Sequence, residues 1–270
     1  MKKILFLSFL IFILAFSVSA HAYDYWTSSA KLGYSYFGYS EQYGAETKGG
    51  EYSLGQRFNY HNNLFLLSIK GSLGIVPGQY TGSGQTTGIS TTGDVYYSLE
   101  DFSIGAGIDP RLLNGLMQNE LYLSLGYMDH DFMAGNADFT NNVTGYDEDY
   151  QVKYASLTYK NIYAFKPRLS NVFKISYLYG LNGTATTKGM QNITIDGYPT
   201  GNNLEFNLGG ESGYTVAEGI RYRVTNSVSL VWDTYYSALF FKHSNTANEF
   251  YEPSSTTHQF GVQFGLHYDF

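Results

Sequence analysis

Residues 258–270, HQFGVQFGLHYDF, decide how the rest of the chain is read. Phe260, Val262, Phe264, Leu266, Tyr268 and Phe270 alternate with Gln259, Gly261, Gln263, Gly265, His267 and Asp269. Strand side chains alternate faces with period two, so this is a strand with one oily face and one wet face. A half-buried strand of a soluble sheet looks the same in isolation, so the choice between membrane and water rests on the other residues.

The opposite end, MKKILFLSFLIFILAFSVSAHA, has Lys2 and Lys3, an apolar run from Ile4 to about Phe16, then Ala20-His21-Ala22. A basic start, a short apolar core and a small-residue site describe a secretory signal peptide, residues 1–22, with cleavage after Ala22. The apolar run is short for a bilayer-spanning helix. The expected mature domain is 23–270, and losing Lys2 and Lys3 takes its net charge from −7 to −9. So acidic a chain is a poor match for nucleic acid. It has no cysteine, hence no disulfide and no thiolate chemistry.

Composition then separates the two settings. There are 27 Tyr, 19 Phe and 30 Gly but only 14% charged residues, and the mean hydropathy is −0.22. No later run is long enough for a membrane helix. Aromatic-rich, glycine-rich and exported is the pattern of a transmembrane β-barrel. A soluble β-sandwich rarely carries so many Phe and Tyr with so few charges.

Barrel strands run about ten residues, apolar outward and polar inward. Ten segments fit: about 28–42, 48–60, 64–78, 94–107, 119–133, 148–163, 171–183, 212–224, 227–243 and 258–270. In the third, Phe65, Leu67, Ile69, Leu73 and Ile75 oppose Ser68, Lys70, Ser72 and Gly74. The alternation slips near Glu100-Asp101 in the fourth and near Tyr154-Ala155 in the sixth, as β-bulges would cause. In the eighth, Glu218 falls on the apolar face. Residues 109–118 have room for one helical turn, and 184–211 for a short projecting hairpin around Pro199-Thr200-Gly201. All five prolines fall in loops or at strand ends. Short connections follow strands 2, 6 and 8, a moderate one follows 4 and longer ones follow 3, 5, 7 and 9, the rhythm of short periplasmic turns and long outer loops, with the short connection after strand 1 as the exception. The expected fold is an all-β, membrane-spanning, antiparallel up-and-down barrel, ten-stranded, with eight or twelve strands as alternatives.

A closing strand that ends on Phe270 with Tyr268, Leu266, Phe264, Val262 and Phe260 at alternate positions resembles the C-terminal signature of bacterial outer-membrane β-barrels. The resemblance implies a Gram-negative outer-membrane location after export through the periplasm. It also implies that the barrel assembly machinery reads Phe264, Leu266, Tyr268 and Phe270. Outer-membrane lipid and lipopolysaccharide would be the surrounding partners.

Ten strands at this length also resemble the omptin family of outer-membrane proteases. That resemblance implies an Asp pair on one side of the barrel mouth and an Asp–His pair on the other. The nearest local match is Asp129-His130-Asp131, at the top of strand 5. The second outer loop has no carboxylate before Asp94, and 184–211 has Asp196 but no histidine. The catalytic set does not carry over. No G-x-S-x-G or G-x-x-x-x-G-K-[ST] occurs either. No enzymatic activity, cofactor or dedicated transition-metal site is expected. Asp129 and Asp131 share a face and His130 points away; with the carboxylates of YDEDY (146–150) they suit a loose divalent-cation site at most.

Alternation places Lys31, Glu51, Arg57, Lys70, Glu100, Lys174, Arg221, Arg223, Asp233, His267 and Asp269 in the lumen. Mixed signs in a narrow barrel read as an ion-pair network, or as the lining of a small porin-like pore. Outer loops rich in Gly, Thr, Ser, Asn and Tyr suit an extracellular ligand. The expected role is structural or surface-interacting, with a narrow salt-bridged lumen; a narrow channel for small solutes or ions is the alternative, and an omptin-like surface protease the third.

Overall fold

β-Branched and aromatic residues at alternate positions favour extended backbone, and ten such runs here pair edge to edge until no edge is left. The structure, a computed structural model, describes residues 24–62, 65–83, 90–112, 116–135, 137–142, 145–188, 194–195, 198–199, 203–246 and 251–270. The expected signal peptide lies outside them. The ten long strands are β1 (Asp24–Glu41), β2 (Glu46–Asn62), β3 (Phe65–Ser83), β4 (Ser90–Ile108), β5 (Met117–Met133), β6 (Asp147–Lys166), β7 (Leu169–Lys188), β8 (Glu211–Arg223), β9 (Val228–Phe241) and β10 (Ser255–Asp269).

Each strand pairs antiparallel with the next. The ring closes where β1 pairs with β10, in a register that sets Leu32 opposite Phe264 and Ala30 opposite Leu266. Phe270 N–H donates to the Trp26 carbonyl at 2.9 Å, extending that seam to the last residue. Every backbone group in lipid has to be paired within the protein, and closure is how a sheet does it.

The outward row is apolar at the end nearer the two termini. Leu32, Phe65 and Phe260 keep 67, 69 and 62% of their surface exposed, which fits hydrocarbon and not water. Trp232 stacks on Phe264 across β9 and β10 at 5.7 Å between ring centroids. On β6 the outward apolar row is Leu157, Tyr159, Tyr163 and Phe165; towards the long loops it changes to Lys153, Gln151 and Asp149. Strands of up to 20 residues exceed the nine to eleven or so that a bilayer needs, so the loop end of the barrel extends beyond the belt.

The strand map differs from the sequence reading in four places. β4 alternates without a slip: Val95, Tyr97, Leu99, Asp101 and Ser103 all face inward, so the Glu100 side chain belongs to the outward row. The irregularity expected in β6 lies in its pairing, between Lys153 and Tyr154, where the extra residue is Leu181 on β7. Residues 111–112 pair with 117–118 as extended backbone, within the 109–118 stretch where a helical turn was expected; 113–115 lie outside the described residues. Pro77 falls inside β3, which runs past it to Ser83; the β2–β3 ladder skips Gly50, Glu51, Val76 and Pro77, where the missing N–H would have been needed.

In the projecting hairpin Tyr198 pairs with Ile195 and Pro199 with Thr194. Thr200 and Gly201 lie outside the described residues. Glu205–Asn207 pairs on Thr184–Thr186 of β7, covering the edge that β8 leaves beyond Tyr179. Glu218 does sit on the outward face; the amide of Asn171 donates to its carboxylate at 3.2 Å.

Candidate functional site

Inside the belt the inward rows surround a cavity of about 360 Å³. Of the residues placed in the lumen by alternation, Lys31, Glu51, Arg57, Lys70, Lys174, Arg221, Asp233 and His267 line it. Arg223, at the last position of β8, is exposed at the rim of the terminal end, near Asp269.

Asp101, Glu120 and Lys160 were missed by sequence reasoning and belong to this set. Asp101 and Lys160 line the chamber, and Glu120 is buried beside it. Asp101 was hidden by the slip wrongly assigned to β4, which pointed Glu100 inward in its place. Lys160 shares a face with Thr158 and Ser156, a signal that unbroken alternation in β6 would have exposed.

Three ion pairs brace the chamber. Lys31 pairs with Asp233, Lys70 with Asp101 at 2.5 Å, and Lys160 with Glu120 at 2.7 Å. Tyr154 of β6 also donates to Asp101, reaching over β5 along the same wall. The ring of Tyr154 occupies the space over Gly126, where an added Cβ would lie 2.3 Å from the ring carbon Cζ, so that position has to be bare. Arg57 reaches from β2 to the Tyr122 hydroxyl on β5 at 2.5 Å, with its guanidinium 5.3 Å from the ring centroid.

Towards the loop end the interior turns apolar. Met128 of β5, Val152 and Tyr154 of β6, and Leu239 and Phe241 of β9 pack together from nearly opposite walls, with Leu178 of β7 against them. Beside this septum, Phe37, Tyr39, Val76, Val95, Tyr97, Leu99 and Phe132 fill the β1–β5 side. Near the termini a separate polar knot closes on Asp109, whose Oδ2 accepts from Tyr25 at 3.2 Å and Gln118 at 2.8 Å and lies 2.7 Å from His61 Nδ1.

Above the septum, beyond the belt, the Tyr150 hydroxyl lies 2.9 Å from Glu148 and 2.6 Å from Glu252. Burial pushes the Glu252 carboxyl up to about 7. Burial, then the charges of Glu252 and Glu41, hold Glu148 well above the usual carboxylate range.

Asp129 and Asp131 lie on the outward face with Asp149, their oxygens within 4.8 Å of one another, as the only group among the described residues able to share an ion. The Lys188 ammonium is 2.9 Å from Asp149 and 3.8 Å from Asp131. His130 points into the chamber, so the Asp-His-Asp run is split between the two faces. Phe264, Leu266, Tyr268 and Phe270 are exposed on the outward belt of β10, each from 42 to 56%.

No protein-family model matches the chain, and no curated protein matches it. Among solved structures it is similar to the outer membrane protease OmpT from Escherichia coli, with a TM-score of 0.60 and 10% identity over 94% of this chain and 99% of that one. OprG from Pseudomonas aeruginosa covers 91% of this chain and 96% of its own at 11% identity and a TM-score of 0.39. Ail of Yersinia pestis covers 90% and 98% at 11% identity and a TM-score of 0.33. Likeness at these identities speaks to fold alone. The chain has the closed, ten-stranded antiparallel fold of outer-membrane β-barrels.

Proposed function

We propose that the protein is a non-enzymatic outer-membrane barrel with a closed lumen, acting at the cell surface through its long-loop end. The observation that carries this reading is the apolar septum, in which Met128 meets Leu239 and Phe241 from the far wall. Water and ions cross such a constriction only by parting it. Below it the three ion pairs link β1 to β9, β3 to β4 and β5 to β6, as expected of a ten-stranded barrel filled by its own side chains. A non-enzymatic role is supported by the split of Asp129, His130 and Asp131 between outer face and lumen, since catalysis needs its groups convergent.

Conductance of the folded, signal-free protein in a planar bilayer tests this reading. A folded barrel without steady current steps is the expected result. Reproducible steps would overturn it in favour of a narrow channel, whose ion selectivity would then follow substitutions at Lys70 or Asp233.

A further inference from the structure

The lumen carries more positive charge than its own carboxylates balance. Six cations, Lys31, Arg57, Lys70, Lys160, Lys174 and Arg221, face four inward carboxylates, Glu51, Asp101, Glu120 and Asp233, and at the terminal rim Arg223 and Asp269 add one charge of each sign. Three of those carboxylates are committed to Lys31, Lys70 and Lys160. Glu51 is held near the loop end by Ser35 at 2.7 Å and Gln259 at 2.9 Å. Arg57, Lys174 and Arg221 therefore have no carboxylate within ion-pair distance among the described residues.

Strand register makes this surplus local. Arg57 is the direct cross-strand neighbour of Lys70, and Lys174 of Lys160, so two like-charged pairs face the chamber. Like charges placed opposite one another are unfavourable in a sheet. Lys174 feels the charge of Arg57 more than that of any other group, and Lys160 feels both Arg221 and Arg57. Arg57, Lys160 and Arg221 thus surround Glu120, and Lys174 lies directly across the sheet from Lys160. Arg221 Nε–H is buried with no acceptor among the described residues, and Glu120 Oε2 is buried with no donor. A buried guanidinium donor without an acceptor is costly, and a bound anion removes that cost.

We propose that the chamber binds a small dianionic oxyanion of the phosphate class between Arg57, Lys174 and Arg221. Two charges match the surplus of six over four. Hydrogen phosphate also brings one P–OH, a donor for the free oxygen of Glu120, along with acceptors for Arg221. The inference concerns the chamber below the septum and stands whether or not the septum ever parts.

Calorimetric titration of the full mature protein, folded in nonionic micelles at constant ionic strength, tests it with inorganic phosphate and with glycerol phosphate. Saturable one-to-one binding near or below about 1 mM is expected for at least one of them. Binding of inorganic phosphate alone identifies the free ion; tighter binding of glycerol phosphate identifies a phosphomonoester solute. Lys174→Met and Arg221→Leu should each weaken binding by about ten-fold or more, and Arg223→Leu, at the rim, should leave it unchanged. Absence of saturable binding of either anion would overturn the proposal, as would an Arg223→Leu effect equal to those in the chamber. Should a chamber variant fail to fold, the thermal midpoint of the native chain decides: it rises with phosphate over chloride at matched ionic strength if the site exists, and stays level if it does not.

Discussion

Glu120 is the residue on which the chamber's electrostatics turn. It is 1% exposed, and one of its oxygens takes the Lys160 ammonium at 2.7 Å. Removing one partner of a buried pair strands the other charge, here among three further cations, and costs about 3–5 kcal/mol. Glu120→Gln keeps the shape and removes the charge. It should lower the unfolding free energy by about that amount in urea titrations from lipid vesicles, and Glu120→Gln with Lys160→Met should recover most of the loss. A Glu120→Gln barrel within about 0.5 kcal/mol of the native one would mean that the ring is hydrated and that the pair contributes little.

At the scale of elements, the segment between β9 and β10 is tied to the wall of β6 through Tyr150. One phenol proton cannot satisfy both Glu148 and Glu252, so the contact is complete only when a carboxyl keeps its own proton. Burial raises Glu252 from 4.5 to about 7. A carboxyl raised in the folded state contributes most below its unfolded value and loses that contribution as pH climbs through the folded one. The tie should therefore be at full strength near pH 4.5 and lost above about 7. Hydrogen exchange across 242–246 and 251–254 should be slower at the acid end of that window than above it, and Glu252→Gln should flatten the difference. Equal exchange at both ends in the native chain would refute the tie. The closing strand makes a second prediction. Phe270 caps the β1–β10 seam through its bond to Trp26 and packs on Tyr268 at 4.5 Å between ring centroids. If the assembly machinery reads this strand, deleting Phe270 should cut insertion in cells several-fold while the purified chain still refolds in detergent. Equal losses in both settings would assign Phe270 to stability alone.

For the molecule as a whole, the septum sets whether the barrel conducts. Met128→Ala with Leu239→Ala removes side chains from both walls of the constriction and opens space that water can wet. The double variant should show current steps in a planar bilayer where the native protein shows none, with preference for anions because cations outnumber carboxylates in the chamber below. A double variant that folds and stays silent would move the barrier to the aromatic cluster around Phe37, Tyr97 and Phe132. The outer face beyond the belt carries Asp129, Asp131 and Asp149 with Lys188 among them, so the group already holds a cation of its own.

The sequence by itself determined the barrel. Period-two alternation in segments such as Phe65–Ile75 and Phe260–Phe270 assigns lipid and lumen faces residue by residue, because a strand offers no third direction. It likewise placed Lys31, Arg57, Lys70, Lys174, Arg221 and Asp233 inside, since each sits in an unambiguous run. It failed at Glu100 and Asp101, where two adjacent carboxylates defeat a rule that reads polarity alone; only pairing with Lys70 and Tyr154 shows which one faces inward. Tertiary structure alone decided how those inward rows combine. Closure of the ring brings Arg57 of β2 to Tyr122 of β5, Met128 to Leu239, and Tyr150 between Glu148 and Glu252. Such contacts span a lumen whose width depends on strand number and stagger together, and neither is encoded in any single strand.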